Sequence, residues 1–209
     1  MSPKSDRAKI EAIAEKHIKK GRLDEAIAEY RKLLSGDEQD IAVRNILGDL
    51  YIKADNKQKA VEEFERIADF YESKGLYSKA IAIYKRIKRL VPDNMDSSRR
   101  LAELYRDQGF ASEARTEYMN LAQNLSKAKK PKEAIHMYEN LLKLDRDDMT
   151  SRLTLAELYT EEKMVDQALE ELNKVAEFKM RKNQLKEAGE ILNRAKRSRK
   201  IIPERSRTS

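Results

Sequence analysis

ESKGLYSKAIAIYKRI, residues 72–87, sets a glycine (Gly75), an alanine five positions on (Ala80) and a tyrosine four further (Tyr84) into a stretch otherwise crowded with charge. The same spacing returns at Gly21, Ala26 and Tyr30 and again at Gly109, Ala114 and Tyr118. Each residue type has a physical reason for its place. Glycine ends a helix at positive φ without Cβ strain. Alanine suits a close crossing of two helices, where only a methyl group fits. Tyrosine, one turn later, covers the gap that alanine leaves, and such small–large alternation is how helices reach native packing density.

The alanine column extends along the chain as two interleaved series with one common period. Ala60, Ala114 and Ala168 form the first, and Ala80, Ala134 and Ala188 the second. Residues 41–94, 95–148 and 149–202 therefore align as whole blocks without a gap, and 7–40 align with 61–94. Each block reads as three helices, in the middle block at 95–108, 111–128 and 131–144. Leu101, Leu104 and Tyr105 have helical apolar spacing and stop at Gly109. Pro131 stands where a first-turn proline is tolerated. Connections this short make neighbouring helices antiparallel. The whole chain is predicted to hold about eleven helices.

Composition agrees. Charged residues are 39% of the 209 and apolar ones 40%, with only 6 glycines and 4 prolines, a helical profile. No apolar run approaches the roughly 18 residues of a membrane span. The charged N-terminus lacks the apolar core of a signal peptide. Without cysteine there are no disulfides and no thiolate metal sites. A soluble, cytoplasmic protein is the expectation. The net charge of +7 is uneven: residues 179–209 hold 11 Lys and Arg against 3 Glu, and the remainder is nearly neutral.

With these columns the chain resembles the tetratricopeptide repeat family, whose motif runs Leu, Gly or Ala, Tyr, Gly, Ala, Tyr or Phe, then Pro over about 34 residues. Residues 41–74 carry Leu47, Gly48, Tyr51, Ala60 and Phe64; residues 95–128 carry Leu101, Ala102, Tyr105, Gly109, Ala114 and Tyr118; residues 61–94 carry Ala68, Tyr71, Gly75, Ala80, Tyr84 and Pro92. There are departures. Arg44 and Ser98 stand where the family has a bulky residue. Successive motifs also overlap: the stretch 61–74 belongs to two of them, so one helix closes a motif and opens the next. The resemblance implies an all-α, right-handed α-solenoid of antiparallel helices, a superhelix over residues 1–200, followed by a basic C-terminal tail, 201–209, expected to be disordered. It also implies a non-enzymatic interaction scaffold that binds a partner peptide or helix on its surface.

In that family the groove is lined by fixed positions of the first helix. The ninth reads Glu15, Asp49, Glu103 and Glu157, an acidic row that favours a basic peptide or helix. The fifth supplies Asn45 and Arg99. Ordinary solvated helix decoration reads the same way. With three helices per period, strict alternation of layers sets Glu103 apart from the other three.

Catalytic candidates are few. His17 stands in the column of Tyr51, Tyr71, Tyr105 and Tyr159 and reads as a packing substitute, while His136 reads as solvent-facing. No GxGxxG, P-loop or HExxH occurs, so no enzyme, cofactor or metal is expected. DRDDM, 145–149, lacks the glycine and glutamate of a calcium loop and reads as a cap for the following helix, as Asp93 and Asp96 do around Pro92. The basic end, with Arg194, Lys196, Arg197, Arg199 and Lys200, offers an alternative function: docking on nucleic acid or the ribosome through phosphates, or on an anionic membrane. No aromatic residue follows Phe178, so base stacking is not expected. The oligomeric state is left open.

Replacing Ala114 with leucine should overpack the crossing and lower stability by about 1–3 kcal/mol. The denaturation midpoint measures this; an unchanged midpoint would show that the alanine column is not a close crossing.

Overall fold

In a computed structural model, residues 3–200 are described, with side chains from Asp6 to Arg197. The tail expected at 201–209 lies outside the described residues, as do the side chains of Arg199 and Lys200. The described residues form eleven α-helices and no strand: α1 Pro3–Lys19, α2 Leu23–Leu34, α3 Ile41–Lys53, α4 Lys57–Ser73, α5 Tyr77–Leu90, α6 Met95–Asp107, α7 Ala111–Lys127, α8 Pro131–Leu144, α9 Met149–Glu161, α10 Val165–Arg181 and α11 Leu185–Lys200. The fold class is an all-α solenoid of antiparallel helices. The chain divides into two compact units, residues 1–108 and 109–209. In the first, each helix from α1 to α6 packs on the next; in the second, each from α7 to α11 does so.

Within each unit, the turns show why neighbouring helices can pack side by side. Gly21, Gly75 and Gly109 all have positive φ, between 69° and 77°. Asp55, Lys129, Lys163 and Asn183 occupy the same turn position in the other hairpins and also have positive φ, 56° to 61°. At these turns the left-handed residue lets the next amide donate back to the carbonyl five residues earlier: Leu76 to Tyr71 at 2.8 Å, Asn56 to Tyr51 at 2.8 Å, Met164 to Tyr159 at 2.7 Å. This bond satisfies a helix-end carbonyl that would otherwise lack a partner. It leaves room for only a short link before the next helix begins.

Packing follows the columns. Ala26, Ala60, Ala80, Ala114, Ala134 and Ala168 are fully buried, and Tyr30, Phe64, Tyr84, Tyr118 and Tyr138 are buried one turn after five of them. At Gly48 on α3 the contact is closer still. A Cβ there would lie 2.3 Å from the Phe64 ring, so only glycine admits that ring.

Helix starts are also repeated. Asp40, Asn94 and Asp148 cap α3, α6 and α9, each accepting from the amide three residues on, at 3.0, 2.8 and 3.0 Å. The acidic run at 145–149 therefore does cap α9, through Asp148. For α6 the expectation of Asp93 and Asp96 is corrected. Asn94 is the cap, because only the residue just before the helix can reach the amide three positions on, and Asp96 lies inside the first turn.

A lysine in the left-handed region carries strain of about 1–2 kcal/mol that glycine avoids, offset in part by glycine's greater unfolded-state entropy. Lys163→Gly should therefore stabilise the protein by roughly 0.5–1 kcal/mol, and Gly75→Ala should destabilise it by a similar amount. Urea unfolding checks both signs; a loss of stability in Lys163→Gly contradicts the account.

Candidate functional site

Residues four apart on a helix share an edge, so Asn45 and Asp49 of α3 form one polar edge. Arg86 of α5 reaches both, donating to Asn45 Oδ1 at 2.8 Å and pairing with Asp49. Its guanidinium also lies over the Phe64 ring, 4.0 Å from the centroid. The second unit holds a matching arrangement: Arg194 of α11 donates to Glu157 of α9 at 2.7 Å. Each of these arginines comes from the helix two beyond the one that carries its acid.

The structure thus brings Asn45 and Asp49 together. Glu103 belongs to a different cluster, on α4, α5 and α6, and Arg99 stands outside both. Arg100 donates to Glu103 at 3.0 Å and also pairs with Glu72, which accepts from the Tyr84 hydroxyl at 2.9 Å. Burial, reinforced by Glu72, pushes the Tyr84 hydroxyl well above its ordinary value. Arg99 pairs with Asp96 at 3.4 Å. Glu15 is exposed on α1.

On the second unit, Glu157 and Glu161 stand on a ridge of α9 between two open clefts. One, of about 310 Å³, is lined by Ala156, Thr160, Leu172, Arg194 and Arg197 as well as the two glutamates. The other, of about 400 Å³, adds Ser126, Lys129, Pro131, Thr154 and Leu158. The cleft floors are apolar and the rims carry both signs of charge. Such a surface suits a side chain or backbone laid across it and offers no aligned nucleophile and base. Of the basic residues singled out on α11, Arg194 is paired, and Lys196 and Arg197 are exposed.

Both histidines stand apart from these clusters. His17 is half-buried, its Nδ1 enclosed without a hydrogen-bond partner. His136 is exposed, 3.6 Å from Glu139. Among the described residues no group of three or more His, Cys, Asp or Glu is placed to hold a metal, and no helix is long and apolar enough to cross a membrane.

The pairs that sequence reading missed are those that pin loops. Arg44, only 8% exposed at its side chain, pairs with Glu63 of α4, 15% exposed, at 2.6 Å. It also donates to the Glu38 carbonyl at 2.9 Å. Arg152 repeats this with Glu171 of α10 and the Arg146 carbonyl. Where the family has a bulky residue, Arg44 and Arg152 thus tie the preceding loop to the next helix, which Ser98 in the same column does not. Arg7 pairs with the cap Asp40, and Arg115 pairs with the cap Asp148 at 2.8 Å. Burial alone would raise the Asp40 carboxyl, but the Val43 amide and Arg7 outweigh it and hold it below its ordinary value. A signal was present in the sequence: Arg7 matches Arg115, and Arg44 matches Arg152, two blocks apart.

A sequence profile of the tetratricopeptide repeat matches residues 17–73 and 125–181. No curated protein matches the chain. Several solved structures are similar to it. The signal transduction ATPase with numerous domains, with a tetratricopeptide repeat sensor, from Pyrococcus horikoshii is 16% identical, with 94% of this chain and 33% of that one covered, at a TM-score of 0.38. The chain thus spans a third of that protein's length. BtubC from P. vanneervenii is 15% identical over 94% and 96% of the two chains, with a TM-score of 0.41. A tetratricopeptide repeat protein from Parabacteroides merdae is 14% identical over 93% of each chain, with a TM-score of 0.28.

Arg152→Ala strips Glu171 of its buried partner and frees the Arg146 carbonyl. Lys174 still reaches Glu171 at 2.8 Å, so the expected loss is about 2–3 kcal/mol, toward the low end for a broken buried pair. Replacing Arg152 with methionine and Glu171 with leucine together should recover most of it. Urea denaturation of the single and double variants decides; equal losses would mean that the pair itself is not the source.

Proposed function

The chain belongs to the tetratricopeptide repeat family, and on that footing we propose that it is a non-enzymatic, cytoplasmic interaction scaffold that seats a peptide or helix of another protein on its surface. The observation that carries this reading is the α9 ridge, where Glu157 and Glu161 rise between two clefts with apolar floors. An apolar floor with a polar rim is the general form of a recognition site. The Asn45–Asp49 edge of α3 is the corresponding place on the first unit. Each acid already holds an arginine, so a basic residue of a partner adds to a pair rather than to a bare charge. Such contacts govern association rate and specificity more than raw affinity.

Nucleic acid, the alternative through the basic end, has less support. Arg194 is engaged with Glu157, and Lys179 with Glu187 at 2.6 Å. Reversing Asp49 and Glu157 to lysine should abolish capture of a basic partner while the helical circular dichroism stays unchanged. Unchanged capture would remove the proposal for these two faces. Retention of duplex DNA or RNA that falls steeply with salt would favour the alternative.

A further inference from the structure

Three tyrosines of one column meet three different neighbours. Tyr51, Tyr105 and Tyr159 stand one block apart, and so do Arg31, Lys85 and Glu139 on the helix packed before each. In the second unit Tyr159 donates its hydroxyl to Glu139 at 2.8 Å. In the first unit the Lys85 ammonium lies over the Tyr105 ring, 5.5 Å from its centroid. Tyr51 is only 6% exposed, yet among the described residues no hydrogen bond reaches its hydroxyl. A polar group placed so deep ordinarily has a partner. Burial pushes the Tyr51 hydroxyl above its ordinary value, against the pull of Arg31, so it stays protonated and able to donate.

Tyr51 lines a cleft of about 250 Å³ between α2 and the turn from α3 to α4. The rest of the polar lining is Asp24 and Arg31 of α2, Asn56 of the turn and Lys59 of α4. Among the described residues no carboxylate pairs with Arg31 or Lys59. Lys59 instead lies over the Tyr51 ring, 5.7 Å from the centroid. Asn56 accepts from the Lys59 amide through Oδ1 at 3.2 Å, which leaves its Nδ2 to donate. The helix that starts here, α4, has no acid in its first turn, so its positive end is uncompensated.

The acids nearby do not reverse this balance. Asp24 stands two turns from Arg31 along α2. Glu63 is held by Arg44, and Glu62 lies outside the lining. Asp55 and Lys57 flank Asn56 with opposite signs. The cleft thus offers a hydroxyl, an amide and two cations, all of them donors, to a group that enters it.

We propose that this cleft is a carboxylate site, filled by an aspartate or glutamate side chain of a partner protein that accepts from the Tyr51 hydroxyl and Arg31. The entering group is a carboxylate because the chain sets one of its own, Glu139, against the same column in the second unit. A carboxylate accepts from a hydroxyl, a guanidinium and an amide at once. It arrives on a side chain because about 250 Å³ is below the roughly 300–1,000 Å³ of small-molecule pockets and ample for one acidic side chain. The site lies apart from the acidic faces assigned above and takes the opposite charge, so the two readings fail separately.

The probe is a peptide of consecutive glutamates flanked by glycine and serine, acetylated and amidated so that side-chain carboxylates are its only charges. Titrated into the isotope-labelled full chain, it should shift the Arg31 Nε–H and Asn56 side-chain amide signals saturably. A glutamine version should not. Arg31→Glu supplies the carboxylate internally, as the second unit does, and should weaken the peptide at least roughly tenfold, read at Asn56. Tyr51→Phe should weaken it roughly tenfold as well. Glu157→Lys, on the second unit, should leave it unchanged. In urea, Tyr159→Phe should lower the unfolding midpoint through loss of its bond to Glu139, and Tyr51→Phe should not. Circular dichroism verifies each fold; Lys59→Glu carries the test if Arg31→Glu does not fold. No saturable shift, equal shifts with the glutamine peptide, or unweakened binding in Arg31→Glu overturns the proposal. An equal fall in midpoint for the two phenylalanine variants shows that the Tyr51 hydroxyl already has a partner and overturns it too. Glutarate or inorganic phosphate binding at least roughly tenfold more tightly than the peptide assigns the cleft to a small anion and likewise overturns it.

Discussion

Reversing an α-helix within two or three residues requires one backbone conformation that side-chain-bearing residues resist, and every tight hairpin in this chain contains it. Once a residue enters the left-handed region, the next amide points back at the carbonyl five residues earlier and the helix end is sealed. The following helix then starts close enough to run alongside its predecessor. That proximity is why a fully buried alanine comes five residues after Gly21 and Gly75, at helices that pack on their predecessors. The turn thus fixes the crossing, the crossing fixes the side-chain size, and the aromatic residue one turn later fills what remains.

Above this core the charges largely look after one another. Arg86, Arg100, Arg115, Arg152 and Arg194 each bridge to an acid on another helix or a capping loop. Exposed pairs of this kind contribute little stability, but nearly buried ones such as Arg44–Glu63 are costly to break on one side. Their structural effect is to hold loops and helix starts in register. They also leave Arg44 and Asp49 of α3, and Arg152 and Glu157 of α9, each paired with another helix.

Much of the fold could be read from spacing, because hydrophobic columns and glycine stops are local signals. The turns at Asp55, Lys129, Lys163 and Asn183 were visible only through the period, since nothing about a lysine announces positive φ. Asn94, not its acidic neighbours Asp93 and Asp96, caps α6, because position relative to the helix decides capping and charge does not. The acidic column of Glu15, Asp49, Glu103 and Glu157 was visible, but its partners were not. Arg86 and Arg194 come from a helix two further along, and only packing reveals which acid each one meets. Likewise Arg44 looked like a defect in the motif until its loop carbonyl and Glu63 were seen around it.

The apolar columns return in every three-helix block, whereas the arginine bridges return only in every second one: Arg7 with Arg115, Arg44 with Arg152, Arg86 with Arg194. One block on from Arg7, Arg44 and Arg86 the matching positions hold Val61, Ser98 and Asn140, none of which carries a positive charge. A gene that gained or lost a single three-helix block would keep every core contact and yet set arginines opposite the wrong neighbours. Growth by six helices at a time avoids this. The lineage of such a chain is therefore expected to lengthen in even numbers of blocks, with surface charge, not interior packing, as the constraint that counts them.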